Sequence, residues 1–430
     1  MRALSSIPVP VTAVLLSCAV GAQVSLRDLP EIARQRAERL RPRQIAALEP
    51  YWQDLVLDYR ENQQYLDGKL AEIAALGDSV VPLLLEKMAP AQGGSSARNL
   101  AANSRRVLQR LDPGSFVDAL AEMARGKNKV ARSEAIVLLG YANVPQAARV
   151  LASLLDRLDG DDLRQAVRSL RRLRHPIAAS KAVALLGAGN RRLREEVLGY
   201  LTDAHATQVV DTVVQALSAE TDDRLLSSYI EYFRAAAEGH AGATEALLPL
   251  LTGDRLDWRD RLALLEALAT VAPKGHQATI RAMAEQIDGN GTSPLAVQAA
   301  VTMRALGDKQ GVTRLKHTLD TKLRRRKREA GLYEVRASLM FAIGDFAEAA
   351  DDYEKTIEYA DGAAMARRAY EGLLQCDARR RKIQNMVKHM KASGMTRSDF
   401  DRLAARDEPF RTAMAHDRVQ AFLKQLAKAR

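Results

Sequence analysis

The sequence predicts an all-α fold, an α-solenoid of stacked helix pairs, and three observations support this prediction. Between Gly114 and Asp308, an Ala- and Leu-rich helix, a turn and a second such helix recur at intervals of roughly 30 to 38 residues, the spacing of helical repeat arrays. The intervening turns hold Gly, Pro, Asp and Asn, which end one helix or cap the next. No segment alternates apolar and polar residues as a half-buried strand does.

The second helix of each predicted pair has a clear apolar stripe. In the segment 130–140, Ala131, Ala135, Leu138 and Leu139 fall on one side of a helix, the spacing by which a helix buries one face. We therefore expect most Leu, Ala and Val side chains of the array to pack between neighbouring helices. The predicted second helices are 130–140, 162–173, 191–201, 223–237, 258–271 and 294–306, and the predicted first helices are 115–125, 146–158, 178–186, 207–219, 243–251 and 277–287.

Two units, residues 130–140 and 297–307, have an Ala-rich second helix that ends in Leu-Gly. In this they resemble HEAT repeats. The resemblance implies a HEAT-like array over residues 77–308, whose helices stack through their apolar faces. Because unrelated enzymes, transport factors and scaffolds share this fold, the resemblance implies an architecture and no particular function.

The character of the chain changes after Asp308. A basic run, residues 322–328, leads into a segment in which Gly344, Phe346, Ala349 and Tyr353 follow a helix with small residues. This spacing resembles a tetratricopeptide (TPR) repeat. It implies that residues 309–394 form a basic helix followed by TPR-like repeats. Residues 395–430 are predicted to close the array with two capping helices around Pro409.

The first 22 residues have the pattern of a signal peptide. Arg2 is the only charged residue before Arg27, and an apolar run over residues 9–20 is too short to span a bilayer. Small residues at 20–22 offer a cleavage site before Gln23. This predicts an exported bacterial protein of the periplasm.

A second interpretation of the same segment involves Cys18. The sequence Leu15-Leu16-Ser17-Cys18 resembles a bacterial lipoprotein box, with residues 1–17 as the signal and Cys18 as the lipidated residue. The mature chain would then be a membrane-anchored lipoprotein, and it would contact the membrane only through this anchor. A third interpretation, in which the segment is not an export signal, also stays open.

Residues 28–76 are predicted to form an N-terminal helical cap. Two long helices, 29–40 and 44–76, are expected there, with Pro42 and Pro50 breaking them. Their polar faces and aromatic side chains suggest an atypical unit over the first repeat. The ends of a repeat array need such a polar outer face.

No residue pattern points to catalysis. The seven histidines are scattered singly, whereas a metal site needs several ligands together. The acidic cluster of Asp254, Asp257 and Asp260 is best explained as the start of a helix with Asp257 as its N-cap. The sequence has no Gly-rich phosphate loop or nucleophile elbow. We therefore expect no cofactor, no metal and no enzymatic activity.

Positive charge is the unusual bulk property, with a formal net charge of +11 at pH 7. We expect a non-catalytic interaction scaffold that binds a protein or peptide on its concave surface. The alternative is a binder of nucleic acid or another polyanion, held by the same arginine rows. The candidate partner-binding residues lie on second helices and are Arg168, Arg171, Arg172, Arg192 and Arg194.

Overall fold

The structure is a computed structural model that describes residues 42–428, apart from residues 44, 89–93, 274 and 288–291 and the side chains of 284–287 and 428. The described residues form α-helices, 3₁₀ turns and loops, without a strand, which confirms the all-α prediction. The predicted signal segment, Cys18 and the cap residues 28–41 lie outside the described residues. The chain divides into two compact units, Met1–Ala236 and Ala237–Arg430.

The first unit is a series of short helices. From residue 52 onward its α-helices are α1 (Trp52–Leu55), α2 (Gln63–Ala74), α3 (Val81–Lys87), α4 (Ser95–Arg110), α5 (Val117–Arg125), α6 (Lys129–Leu139), α7 (Pro145–Leu154), α8 (Gly160–Leu173), α9 (Ala179–Ala182), α10 (Arg191–Asp203), α11 (Val210–Ala219) and α12 (Leu226–Ala236). Several first helices begin with a 3₁₀ turn, as α11 does after Thr207–Val209.

The second helices of the first unit lie side by side in chain order. Helix α4 packs on α6, α6 on α8, α8 on α10 and α10 on α12. The first helices form another layer, in which α5 packs on both α6 and α7. Leu139, Leu170 and Leu201 of successive second helices are fully buried. This stacking of helix pairs is the α-solenoid architecture that the sequence predicts.

Local sequence explains where the second helices begin and which face they bury. The side chain of Asn128 accepts hydrogen bonds from the backbone N–H groups of Val130 and Ala131, at 3.1 and 3.2 Å, and so caps α6. Asn190 caps α10 in the same way. The stripe predicted on α6, from Ala131 to Leu139, is buried, as its helical spacing requires.

Buried polar side chains join neighbouring repeats of the first unit. Ser169 Oγ on α8 donates to the carbonyl of Ile136 on α6 at 2.8 Å. Tyr200 Oη donates to the carbonyl of His175 at 2.8 Å and accepts from the Ala178 N–H at 3.2 Å. Burial raises the pKa of Tyr200 to about 12, so its hydroxyl stays a donor at physiological pH. These bonds satisfy a carbonyl in the last turn of α6 and backbone groups in the turn after α8.

Two predicted helices of the first unit are shorter than expected. The long helix predicted over 44–76 is wrong, because α1 ends at Leu55 and α2 begins only at Gln63. In between, Asp58 accepts from the Arg60 N–H at 2.7 Å, and Asn62 donates to the Asp58 carbonyl at 3.0 Å. Such local hydrogen bonds compete with a helix.

The second shortened helix is the one predicted over 178–186. It contains only α9 between two 3₁₀ turns, Pro176–Ala178 and Val183–Gly187. Pro176 and Gly187 leave few residues between them, and short helical pieces often close with 3₁₀ bonds.

The second unit continues with longer helices. They are α13 (Ala241–Thr252), α14 (Trp258–Val271), α15 (Gln277–Ile287), α16 (Pro294–Ala305), α17 (Gln310–Arg325), α18 (Ala330–Ile343), α19 (Phe346–Tyr359), α20 (Ala363–Arg379), α21 (Ile383–Ala392), α22 (Arg397–Arg406), α23 (Glu408–Met414) and α24 (Asp417–Lys428). Asp257 accepts from the Arg259 and Asp260 N–H groups, each at 2.8 Å. The predicted N-cap of α14 is therefore confirmed.

The packing of the second unit changes along its length. Helices α14, α16 and α18 stack as second helices do in the first unit, whereas α18 packs on α19, α19 on α20 and α20 on α21. The tail holds three helices where the sequence predicts two. The extra break falls at His416, whose Nδ1 accepts from the Arg418 N–H at 3.2 Å and so starts α24 anew.

In the part of the chain that the structure describes, no helix combines the length and the apolar character needed to cross a bilayer.

Candidate partner-binding site

Three of the five candidate arginines lie on one face of α8. Arg168, Arg171 and Arg172 are spaced at i, i+3 and i+4, which places them next to one another on a helix. Helix α10 packs directly beside this face. The local sequence of α8 therefore gathers three guanidinium groups where two second helices meet.

These side chains line an open pocket of about 400 Å³. We call it the arginine pocket; its lining residues are Arg168, Arg171, Arg172, Arg174, Glu196 and Asp203. Arg192 and Arg194, the other two candidates, are not among them. The structure thus brings together only part of the predicted set and adds Arg174, which the sequence analysis missed.

Each pocket arginine of α8 is held by a specific contact. Arg168 Nε donates to Glu196 Oε1 at 3.0 Å, and Arg171 Nε donates to Asp203 Oδ2 at 2.5 Å. The guanidinium of Arg172 lies over the ring of Tyr141, 4.1 Å from its centroid. A cation over an aromatic face keeps its charge and loses little solvation. Arg172 is therefore held in place, and no carboxylate of the described residues neutralises it.

Gly199 on α10 makes room for Arg171. A Cβ atom at this position would lie 2.6 Å from an Arg171 Nη atom and 2.8 Å from its Cζ. The guanidinium therefore lies close to the backbone of α10 at Gly199, next to its partner Asp203. A side chain on residue 199 would push it away.

Arg174 ends α8 in a left-handed conformation, with φ of 52°. Glycine usually occupies this position, because a Cβ costs roughly 1 kcal/mol or more there. The Arg174 side chain is exposed and contacts no carboxylate among the described residues. The chain therefore keeps an arginine at a strained helix end, at the edge of the pocket.

Arg194 and Arg192 have other surroundings. Arg194 donates to both carboxylate oxygens of Glu220, at 2.8 and 2.7 Å. The Glu220 side chain is only 1% exposed, so this is a structural ion pair inside the repeat stack. Arg192 is exposed on α10, and its side chain has no hydrogen-bond or ion-pair partner among the described residues.

The paired arginines belong to a regular series that we call the ion-pair ladder. In each rung, a basic side chain on one second helix reaches an acidic side chain of the next repeat. The rungs of the first unit are Arg105–Glu134, Arg132–Asp162, Arg168–Glu196, Arg171–Asp203, Arg191–Asp222 and Arg194–Glu220. Much of the positive charge on this face is thereby neutralised within the protein.

After the ion pairs are counted, the arginine pocket keeps a net positive charge. Four arginines face two carboxylates there, and Arg172 and Arg174 are the two without a carboxylate partner in the part of the chain that the structure describes. Planar guanidinium groups bind carboxylates and phosphates through two parallel hydrogen bonds. The pocket can therefore hold an acidic group of a partner while Glu196 and Asp203 repel a second one.

Glu196 and Asp203, the acidic residues of the pocket, were not predicted, because the candidate partner-binding residues were chosen among the basic residues alone. A signal was present, because Arg168 and Glu196 are separated by 28 residues, about one repeat. Searching for opposite charges at the repeat spacing would have found most rungs. Within the described residues, no group of three or more His, Cys, Asp or Glu side chains could hold a metal ion.

Comparison with known proteins gives a likeness in fold only. No protein-family model matches the chain, and no curated protein matches it. A crystal structure of an engineered protein from the Northeast Structural Genomics Consortium is similar over 76% of this chain and 98% of its own, with 18% identity and a TM-score of 0.40. A crystal structure of a Kap121p mutant is similar over 96% of this chain, with 12% identity and a TM-score of 0.43. This chain spans 51% of the Kap121p chain.

Proposed function

We propose that the protein is a non-catalytic scaffold that binds a protein or peptide partner on the second-helix face of its first unit. The arginine pocket is the observation that supports this proposal. It combines two unneutralised guanidinium groups with two acidic side chains, a mixed surface that suits a partner with patterned charges. Large surfaces of this kind are the usual binding faces of stacked helical repeats.

The charge distribution favours a protein over nucleic acid. A polyanion binds through rows of free cations, and its affinity then falls steeply with salt. Here Arg168, Arg171 and Arg194 are each engaged by a carboxylate. Nucleic-acid binding through the same arginines remains the alternative proposal, and its signature is loss of about a thousandfold in affinity between about 50 and 200 mM salt.

The repeat resemblances and the export signal predicted from the sequence are part of the same proposal. We take the array as HEAT-like in residues 77–308 and TPR-like in residues 309–394. We propose export of the mature chain to the periplasm or to a membrane face, starting either at Gln23 or at a lipid-bearing Cys18. The intact mass of the mature protein tests this directly, since an unprocessed Met1 contradicts both forms.

A photo-crosslinking experiment tests the binding face. A photoreactive amino acid replaces Arg192, which is exposed on the second helix α10, or Gln215, which is exposed on the first helix α11. In the producing cell, we expect a protein adduct from position 192 and none from position 215. Equal adducts from both positions would contradict the proposal.

Charge reversal then links the adduct to the pocket. The variant Arg172→Glu should abolish crosslinking from position 192. Its matched control is Arg149→Glu, an exposed arginine on the first helix α7, which should leave the adduct unchanged. An adduct that contains nucleic acid instead of protein would establish the alternative.

A further inference from the structure

A second cleft lies in the C-terminal unit, well away in sequence from the arginine pocket. It is an open groove of about 880 Å³ between the start of α19, the α20–α21 turn and α23. We call it the C-terminal groove; its lining includes Phe346, Arg381, Ile383, Glu408, Pro409, Ala415 and His416. The carboxylate of Glu408 is paired with Arg411 at 3.6 Å. Its size falls within the range of about 300 to 1,000 Å³ that ligand sites occupy.

The groove has an apolar interior made of small and large side chains. Ala378 and Ala413 form buried parts of its floor, where their short side chains leave the space. Phe346, Ile383 and Pro409 form its sides. Such a surface gains free energy by covering an apolar side chain of a partner.

One wall is held rigid by Arg379. Its Nη1 lies 2.7 Å from Asp407 Oδ2, and its guanidinium stacks 4.7 Å from the ring centroid of Phe341 and 5.5 Å from that of Phe346. Asp407 in turn caps α23 by accepting from the Phe410 N–H at 2.8 Å. Three helices are therefore fixed around the groove before any partner arrives, which lowers the entropic cost of binding.

Arg381 provides the positive charge of the groove. Whereas Arg379 is neutralised by Asp407, the Arg381 side chain is exposed and has no acidic partner among the described residues. Its backbone is left-handed, with φ of 56°, and it closes α20 as a glycine normally would. Two arginines have this conformation in the described chain, Arg174 and Arg381, and each lines a cleft.

His416 adds a hydrogen-bond donor. Because its Nδ1 accepts from the Arg418 N–H at 3.2 Å, the neutral ring carries its hydrogen on Nε2. Arg381 and His416 thus present N–H groups at the margin of an apolar groove. This is a site for a large apolar side chain beside a carboxylate.

We infer that the C-terminal groove is a second docking site, for a segment of a partner protein with an aromatic or branched apolar residue next to acidic residues. The apolar residue packs between Phe346, Ile383 and Pro409. The adjacent carboxylate binds the Arg381 guanidinium. The groove and the arginine pocket lie in different units. A variant of one site therefore tests that site without altering the other.

Fluorescence anisotropy with three labelled peptide pools tests this inference on the purified chain. The first pool has a central Leu, Phe or Trp flanked by Asp and Glu, the second has Lys in place of the acidic residues, and the third keeps the acidic residues around a central Ser. We expect binding of the first pool alone. Equal binding of the lysine pool, or no binding of the first pool, would overturn the inference.

Two variants assign the signal to the groove. Ala415→Trp places a large side chain in the groove from an exposed position. Arg381→Gly removes the positive charge and also the Cβ atom that is unfavourable in the left-handed backbone conformation. Neither variant should therefore unfold the protein. Each should weaken binding about tenfold or more, which corresponds to about 1.4 kcal/mol. Their matched controls are Ala421→Trp, at an exposed alanine outside the groove, and Arg324→Gln, which removes the charge of an exposed arginine that lines neither cleft.

Both controls should bind the first pool as the unmodified chain does. An equal loss of binding in Ala421→Trp or Arg324→Gln would place the peptide elsewhere and refute the assignment. A labelled single-stranded DNA that binds with higher affinity than the first pool, and that loses its binding in Arg381→Gly, would replace the peptide with a nucleic acid.

Discussion

Arg194 on α10 clamps the carboxylate of Glu220, 26 residues further along the chain, with hydrogen bonds of 2.8 and 2.7 Å. Glu220 also accepts from the Thr221 and Asp222 N–H groups, each at 2.9 Å. One buried carboxylate therefore organises both the end of α11 and its contact with the preceding repeat. An arginine that the sequence marks as a binding residue has a structural role here.

Replacing this carboxylate tests the structural role. Glu220→Gln leaves Arg194 without a counter-charge in a mostly buried site, and we expect the free energy of unfolding to fall by about 3 kcal/mol. Glu196→Gln removes the partner of Arg168, whose side chain is 47% exposed, and should cost at most about 1 kcal/mol. Urea denaturation of both variants measures the difference, and equal losses would contradict it.

Two glycines should respond in opposite ways to alanine. At Gly372 a Cβ would lie 2.3 Å from the buried Tyr353 ring, so Gly372→Ala should destabilise the protein by about 1 to 3 kcal/mol. At Gly199 the obstacle is the exposed end of Arg171, which can move aside. Gly199→Ala should therefore retain or gain stability, by up to about 1 kcal/mol from helix propensity. Thermal melts compare the two; a large loss in Gly199→Ala would argue against this account.

Replacing the two arginines in left-handed backbone conformation by glycine should raise the free energy of unfolding. Arg174→Gly and Arg381→Gly each remove a Cβ from an unfavourable backbone conformation, which should stabilise the protein by about 1 kcal/mol. The control is Gly344, which ends α18 with φ of 89°, where alanine should cost a similar amount. Chemical denaturation tests all three variants, and destabilisation by Arg174→Gly would show that its side chain supports the fold.

The stability of the C-terminal helices should depend on acidity through Asp399. Its carboxylate accepts from the backbone N–H and the hydroxyl of Thr396, each at 2.9 Å, and these bonds, together with Arg367, hold the pKa of Asp399 well below its usual range. A lowered pKa in the folded state stabilises the protein above the ordinary value of about 3.9 and loses this effect as the pH falls further.

The variant Asp399→Asn isolates this effect. It should melt at a lower temperature than the unmodified chain at pH 7, and the gap should narrow as the pH is lowered from about 5 toward 2. A gap that stays constant with pH would exclude the carboxylate as its source. Asp401→Asn, at an exposed position of the same helix, serves as the control, because an exposed ion pair adds little stability and its loss should change the melting temperature little at pH 7.

The sequence predicted the helices better than it predicted the site. Helices α14 and α15 have the predicted bounds, because Asp257 and the apolar stripe are local signals. The contact between Arg171 and Gly199 was not predictable, since it depends on which helix packs beside α8 and on how far that helix is shifted along its axis. Likewise, the left-handed backbone of Arg174 follows from how α8 ends against its neighbours, and its residue type gives no hint of it.

The ion-pair ladder also has a consequence for folding fidelity. Its rungs sit at different heights: Arg132, the fourth residue of α6, meets Asp162, the third residue of α8. If α6 were to skip a repeat and stack on α10, the third residue there would be Leu193, between Arg192 and Arg194. Like charges would then face each other at the junction. The same side chains that join correct neighbours thereby disfavour the mis-stacked arrays to which repeat proteins are prone.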